Sequence, residues 1–153
     1  MVATSLLTAC VLGTTRYYTP RPAQARISLE EMRSRADAIL TVECPRVVHG
    51  KNTVFATTDI MLDVDSTGMV QRAEIESGSG DAILDDVFGS LAAQLQLQPP
   101  ATRRPSTVAA AAQSDQQQPA PLPTPLDRRR LTVSYACASD AGSVTLEMGK
   151  GGP

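Results

Sequence analysis

The sequence predicts a small α+β domain, with a helix, two strands, a second helix and two further strands in that order. Three observations carry the prediction. A chain of 153 residues has the length of one domain. Apolar side chains alternate with a period of two around 60–64, 69–75, 131–137 and 144–148, and recur at helical spacing over 29–40 and 84–95. Turn residues separate these runs at Ser66-Thr67-Gly68, Ser77-Gly78-Ser79-Gly80 and Ser139-Asp140-Ala141-Gly142.

Residues 11–27 contain Arg16-Tyr17-Tyr18-Thr19-Pro20-Arg21-Pro22 without a sustained period and read as a tether. Ser28 with Glu31 three positions later forms a capping box, because each side chain reaches the other's backbone N–H at a helix start. Leu29, Met32, Ala36, Ile39 and Leu40 follow on one face, predicting a helix from Ser28 to about Leu40. Ile60, Leu62 and Val64 alternate with Asp59, Met61, Asp63 and Asp65 in a first strand. After the Ser66-Thr67-Gly68 turn, Met69, Ala73 and Ile75 alternate with Val70, Arg72, Glu74 and Glu76 in a second, giving a hairpin. Leu84, Val87, Phe88, Leu91, Ala92 and Leu95 form one face of a second helix. Asp81, Asp85 and Asp86 stand near its positive N-terminal end, and Pro99-Pro100 stops it.

Residues 99–127 are rich in Pro, Ala and Gln, a composition that buries too little apolar surface to offset ordering entropy, and they read as a disordered insertion. Arg103-Arg104 and Arg128-Arg129-Arg130 flank it and are expected to keep it solvated. Leu131, Val133, Tyr135 and Cys137 then mark a third strand, and Val144, Leu146 and Met148 a short fourth at the sheet edge. The domain so read spans 28–148.

Composition narrows the function. There is no Trp and there are only two Phe and three Tyr, so the core is built from small aliphatic side chains. Fourteen Lys and Arg against sixteen Asp and Glu leave no basic field to neutralise phosphates, which argues against nucleic acid as a partner. The longest apolar stretch, at the N-terminus, is shorter than a bilayer-spanning helix requires. His49 is the only histidine and lies in a turn-like stretch, and Ser77-Gly78-Ser79-Gly80 lacks the Gly-Lys-Thr/Ser ending of a phosphate loop. Neither an enzyme, a cofactor nor a small-molecule substrate is expected.

Residues 1–10 end an apolar run with Leu7-Thr8-Ala9-Cys10. This resembles the lipobox of bacterial lipoproteins, which implies export, cleavage before Cys10 and lipid attachment to its thiol. Val11 in place of Asp points to the outer membrane. If Cys10 carries lipid, Cys44 and Cys137 remain as an even pair in an oxidising compartment, and a disulfide between them is expected; the alternative is two unpaired thiols.

The stretch from Val54 to Ala101, with Leu131 to Tyr135, resembles the C-terminal domain of TonB-type energy transducers. The resemblance rests on the strand Ile60–Val64 running into Asp65-Ser66-Thr67-Gly68, then Ala73 to Gly80, Ile83-Leu84-Asp85-Asp86, and the exit Leu97-Gln98-Pro99-Pro100. It implies a ββαβ domain, here with an additional N-terminal helix and a C-terminal edge strand. It also implies that a sheet edge binds an extended peptide from an outer-membrane receptor or another envelope protein. The family's Tyr-Pro is replaced by Cys44-Pro45, and energy transduction is not expected.

One rival reading uses the same residues. Asp63 to Glu74 fits the EF-hand loop, with Asp at positions 1 and 3, Gly at 6 and Glu at 12, and would bind calcium between two helices. The β-branched, two-fold pattern before Asp63 favours a hairpin instead. The expectation is therefore a non-catalytic, lipid-anchored protein-binding module on the periplasmic side of the envelope, with no metal.

Overall fold

A five-stranded antiparallel sheet carries both helices on one face in the computed structural model, which describes residues 15–49, 52–99 and 125–150. The elements are β1 (Arg16–Tyr18), α1 (Leu29–Val47), β2 (Val54–Val64), β3 (Val70–Ser77), α2 (Ala82–Ala92), β4 (Asp127–Cys137) and β5 (Gly142–Lys150). Their order across the sheet is β1-β3-β2-β4-β5. The α+β class, the hairpin and the two expected helices are all present. Cys10 and residues 100–124 of the Pro-rich stretch lie outside the described residues.

Alternation sets the two faces. Ile60, Leu62 and Val64 of β2, Leu131 and Val133 of β4 and Ala73 of β3 are fully buried under the helices, with Phe88 of α2 against the Tyr135 ring at 5.7 Å between centroids. The missing Trp is thus replaced by one aromatic pair among aliphatics. Helix α1 buries a narrow stripe, Met32, Ala36, Leu40 and Cys44, at a strict spacing of four. Its Ser28 hydroxyl accepts from Glu31 N–H at 3.1 Å, as the capping box anticipates.

Several boundaries differ from those the sequence predicts, each for a physical reason. The tether of 11–27 is interrupted: Arg16–Tyr18 pairs with β3, and Ile27 is buried and bridges Leu95. Helix α1 continues seven residues past Leu40, because Cys44 extends the buried stripe and Pro45 sits in the last turn, where its missing N–H costs one bond to Thr41. Helix α2 stops at Ala92, well before Pro99; Leu95 O accepts from Val70 N–H at 3.1 Å, so Leu95 serves the sheet instead of the helix. Strand β4 begins at Asp127, inside the expected insertion, because Arg128–Arg130 pair across the sheet with β2. Strand β5 runs on to Lys150.

The three aspartates of the second helix do three separate jobs. Asp81 is the N-cap, accepting from Ile83 and Leu84 N–H, and both its oxygens take Arg46 of α1 at 2.9 and 3.0 Å. The Arg46 guanidinium holds the Asp81 carboxyl below the usual carboxylate range, against the opposing effect of partial burial. Asp85 is buried, and one oxygen accepts from Thr58 Oγ1 (2.7 Å), Ser79 N (2.9 Å) and Ser79 Oγ (2.8 Å). Asp86 faces β1, where it accepts from the Tyr18 hydroxyl and from Arg16 at 3.1 Å.

Candidate functional site

An antiparallel sheet ends in two rows of backbone groups that want partners, and how each row is satisfied decides where another chain can add. On the β3 side the row is largely covered. Val70 N–H donates to Leu95 O, Val70 O accepts from Arg26 at 2.9 Å, and β1 pairs with Ala73 to Ile75. The outermost strand there is three residues long, a blunted edge.

On the β5 side the row is long and, among the described residues, mostly bare. Strand β5 pairs with β4 without interruption from Gly142 to Lys150. Val144 N–H turns away from β4 and donates to Asp37 Oδ1 of α1 at 3.0 Å. Antiparallel alternation therefore turns the N–H and C=O of Leu146 and Met148 outward as well, while Thr145 and Glu147 bond to β4. Helix α1 lies close at the start of β5, where a Cβ on Gly142 would come to 2.7 Å from both Cys44 Sγ and Leu40 Cβ. Farther along, the helix and strand part.

The gap between them is a groove of about 870 Å³ running along Met148, Gly149 and Lys150. Leu29, Leu97 and Met148 supply its apolar surface, each only partly buried against the core. Arg129, Asp127 and Glu30 stand at its margin; Arg129 is held by Asp127 at 2.8 Å and by the Gln98 carbonyl at 3.2 Å. The arrangement offers main-chain partners on one side and apolar contact on the other, the two needs of an extended peptide.

The sheet face away from the helices is occupied differently. Asp63 pairs with Arg72 (2.7 Å) and Arg128 (3.4 Å), Glu74 with Arg128 (3.5 Å) and Glu76 with Arg130 (2.9 Å). Of the arginines expected to solvate the insertion, Arg128 and Arg130 are thus cross-strand partners on β4, while Arg103 and Arg104 lie outside the described residues. Surface pairs of this kind contribute little each, but they give this face of β2, β3 and β4 a charged, well-matched surface.

Of the residues that the sequence singles out, Cys44 and Cys137 form a disulfide with Cα atoms 5.0 Å apart, joining the end of α1 to the end of β4. The EF-hand frame of Asp63 to Glu74 is the β2–β3 hairpin, flanked by strands and not by helices. Asp65 closes it, accepting from Thr67 N–H, Thr67 Oγ1, Met69 N–H and Gln71 Nε2. The Thr67 hydroxyl in particular lowers the Asp65 pKa. Glu74 is committed to Arg128, and among the described residues no three His, Cys, Asp or Glu side chains are grouped to hold a metal ion. His49 is exposed at the end of α1, with Nδ1 3.3 Å from Val47 O, while Cys44 is buried in the disulfide; the two build no catalytic pair. Asp37, Leu29 and Leu97, which shape the edge, carry no signal of that role in the sequence; Asp37 looks like any polar position on an exposed helix face.

No family model matches the chain, and neither the curated proteins nor the solved structures contain a significant match to it.

Proposed function

We propose that this protein is a non-catalytic binding module of the bacterial cell envelope, anchored by lipid on Cys10, that captures an extended segment of an envelope protein or outer-membrane receptor on the β5 edge. One observation carries the reading: among the described residues β5 presents the unpaired backbone of Leu146 and Met148 beside the apolar groove, while the opposite edge is blunted by the three-residue β1, Arg26 and Leu95. The order β2, β3, α2, β4, with β2 between β3 and β4, supports the resemblance to the TonB C-terminal domain. A disulfide between Cys44 and Cys137 accords with an oxidising compartment. No helix among the described residues is long and apolar enough to cross a membrane.

The test places a photo-crosslinking side chain at Glu147, on the edge strand, and another at Val42, exposed on α1, in cells expressing the full chain. A peptide from the protein crosslinked at Glu147 is then added to the purified domain. It should slow amide exchange at Leu146 and Met148. A peptide that protects Ala73 to Ile75 instead, or crosslinking equal at both positions, refutes the assignment of the edge.

A further inference from the structure

We infer that strand β1 holds the domain on a short leash with its β1 edge against phospholipid headgroups, so that the β5 edge faces away from the bilayer. This rests on the lipid anchor at Cys10.

Length is the first argument. Cys10 and Arg16 are six residues apart in the sequence, so their Cα atoms are separated by at most about 20 Å even when the chain is fully extended. Were 11–27 a free tether, as the sequence suggests, the first fixed residue would be Ser28 and the reach about 61 Å. Pairing of β1 with β3 is what shortens it.

Every residue of β1 is pinned. Arg16 pairs with Asp86 at 3.1 Å, and the Tyr17 ring lies under the Arg72 guanidinium at 5.0 Å. The Tyr18 hydroxyl donates to Asp86, and its ring fills the space left by Gly89 of α2, where a Cβ would come to 2.4 Å from Tyr18 Cε2. A three-residue strand held by three separate side-chain contacts is built to bear an attachment.

Sheet order is the second argument. Strands β1 and β5 are the two outer strands, four spacings or about 19 Å apart. An anchor that draws β1 to the membrane leaves β5 at the far side, open to an approaching chain.

Surface chemistry is the third. Beside β1 lies a polar groove of about 480 Å³ lined by Tyr17, Tyr18, Thr19, Arg21, Gln24 and Ser90. Arg21 is exposed and, among the described residues, has no ion-pair partner. Tyrosine rings and arginines are the side chains that settle at a membrane–water interface next to anionic headgroups.

The chain has no Trp, so a single introduced one is a clean reporter. Ala23→Trp marks the β1 side and Thr145→Trp the β5 edge; both positions are exposed. The acylated proteins are reconstituted on vesicles of phosphatidylethanolamine and phosphatidylglycerol carrying a headgroup-spin-labelled phosphatidylcholine as quencher. Quenching should be several-fold greater for Ala23→Trp. A fifteen-residue Gly/Ser linker inserted after Leu12 raises the reach to about 70 Å and should bring the two reporters together. Equal quenching in the short-leash protein, or a difference that the linker leaves unchanged, overturns the inference while the anchor stands. An intact mass without acyl chains overturns the anchor and the inference together.

Discussion

Reducing the Cys44–Cys137 disulfide tests the link between α1 and the sheet. The bridge closes 93 residues of chain. In the chain-entropy account, a loop of that length loses about 15.6 cal/mol/K when cross-linked in the unfolded state, or about 4.6 kcal/mol at 25 °C. The two sulfurs are buried beside Leu40 and Gly142, so reduction leaves the contacts of α1 otherwise in place. Urea unfolding of the oxidised and reduced protein, followed by far-UV circular dichroism, should then differ in midpoint by about 2–3 M at an m-value of about 1.5–2 kcal/mol/M. Calling the effect one on the unfolded state also predicts faster folding of the oxidised chain. Two free thiols titrating in oxidised protein, or midpoints within about 0.3 M at equal m-values, would show that the bridge does not tie the fold together.

Asp85→Ala strands the buried Thr58 hydroxyl and Ser79 N–H, and should cost about 2–4 kcal/mol in urea unfolding, with Asp85→Asn costing less; a loss below about 1 kcal/mol would show that water replaces the carboxylate. Gly68 has φ +87° and a Cβ there would sit 2.1 Å from Leu97 O, so Gly68→Ala should destabilise the domain by more than about 2 kcal/mol and expose the groove side of Leu97, measured by thermal unfolding. The Tyr18 phenol is pushed up to about 12, first by burial and then by its bond to Asp86, whereas an unfolded tyrosine ionises near 10. Its neutral form is the one the fold favours, so this contribution is complete below pH about 10 and lost as the pH rises toward 12. Ultraviolet titration of the tyrosines should show that late ionisation, and Asp86→Ala should bring it earlier. For Asp65 and Asp81 the sign is opposite: their depressed pKa values stabilise the fold above pH about 4 and cease to as the pH falls below it, so Asp81→Ala should flatten the acid limb of stability against pH.

What was legible in the sequence follows from what repeats. The two-fold runs of β2 and β4 and the spacing of Met32, Ala36 and Leu40 fix strands, helix and buried face, because each residue there meets the same environment as its neighbour two or four places on. Strand β1 was hidden because three residues between prolines and threonines have no period; its pairing depends on Gly89 and Asp86, some seventy residues away in the chain. Helix α2 reads too long because Leu95 is apolar at the right spacing, yet its burial comes from Ile27 and Val70. The site was legible only as an edge strand. Which edge is open depends on long-range closures, Arg26 on Val70 and Asp37 on Val144, that no local pattern encodes.

Amide hydrogen exchange along β5 tests the central claim most directly. In the free protein, Leu146 and Met148 should exchange orders of magnitude faster than Thr145 and Glu147, with Val144 protected until Asp37→Ala releases it. Protection uniform from Val144 to Met148 would mean that the edge is already filled and would contradict the account.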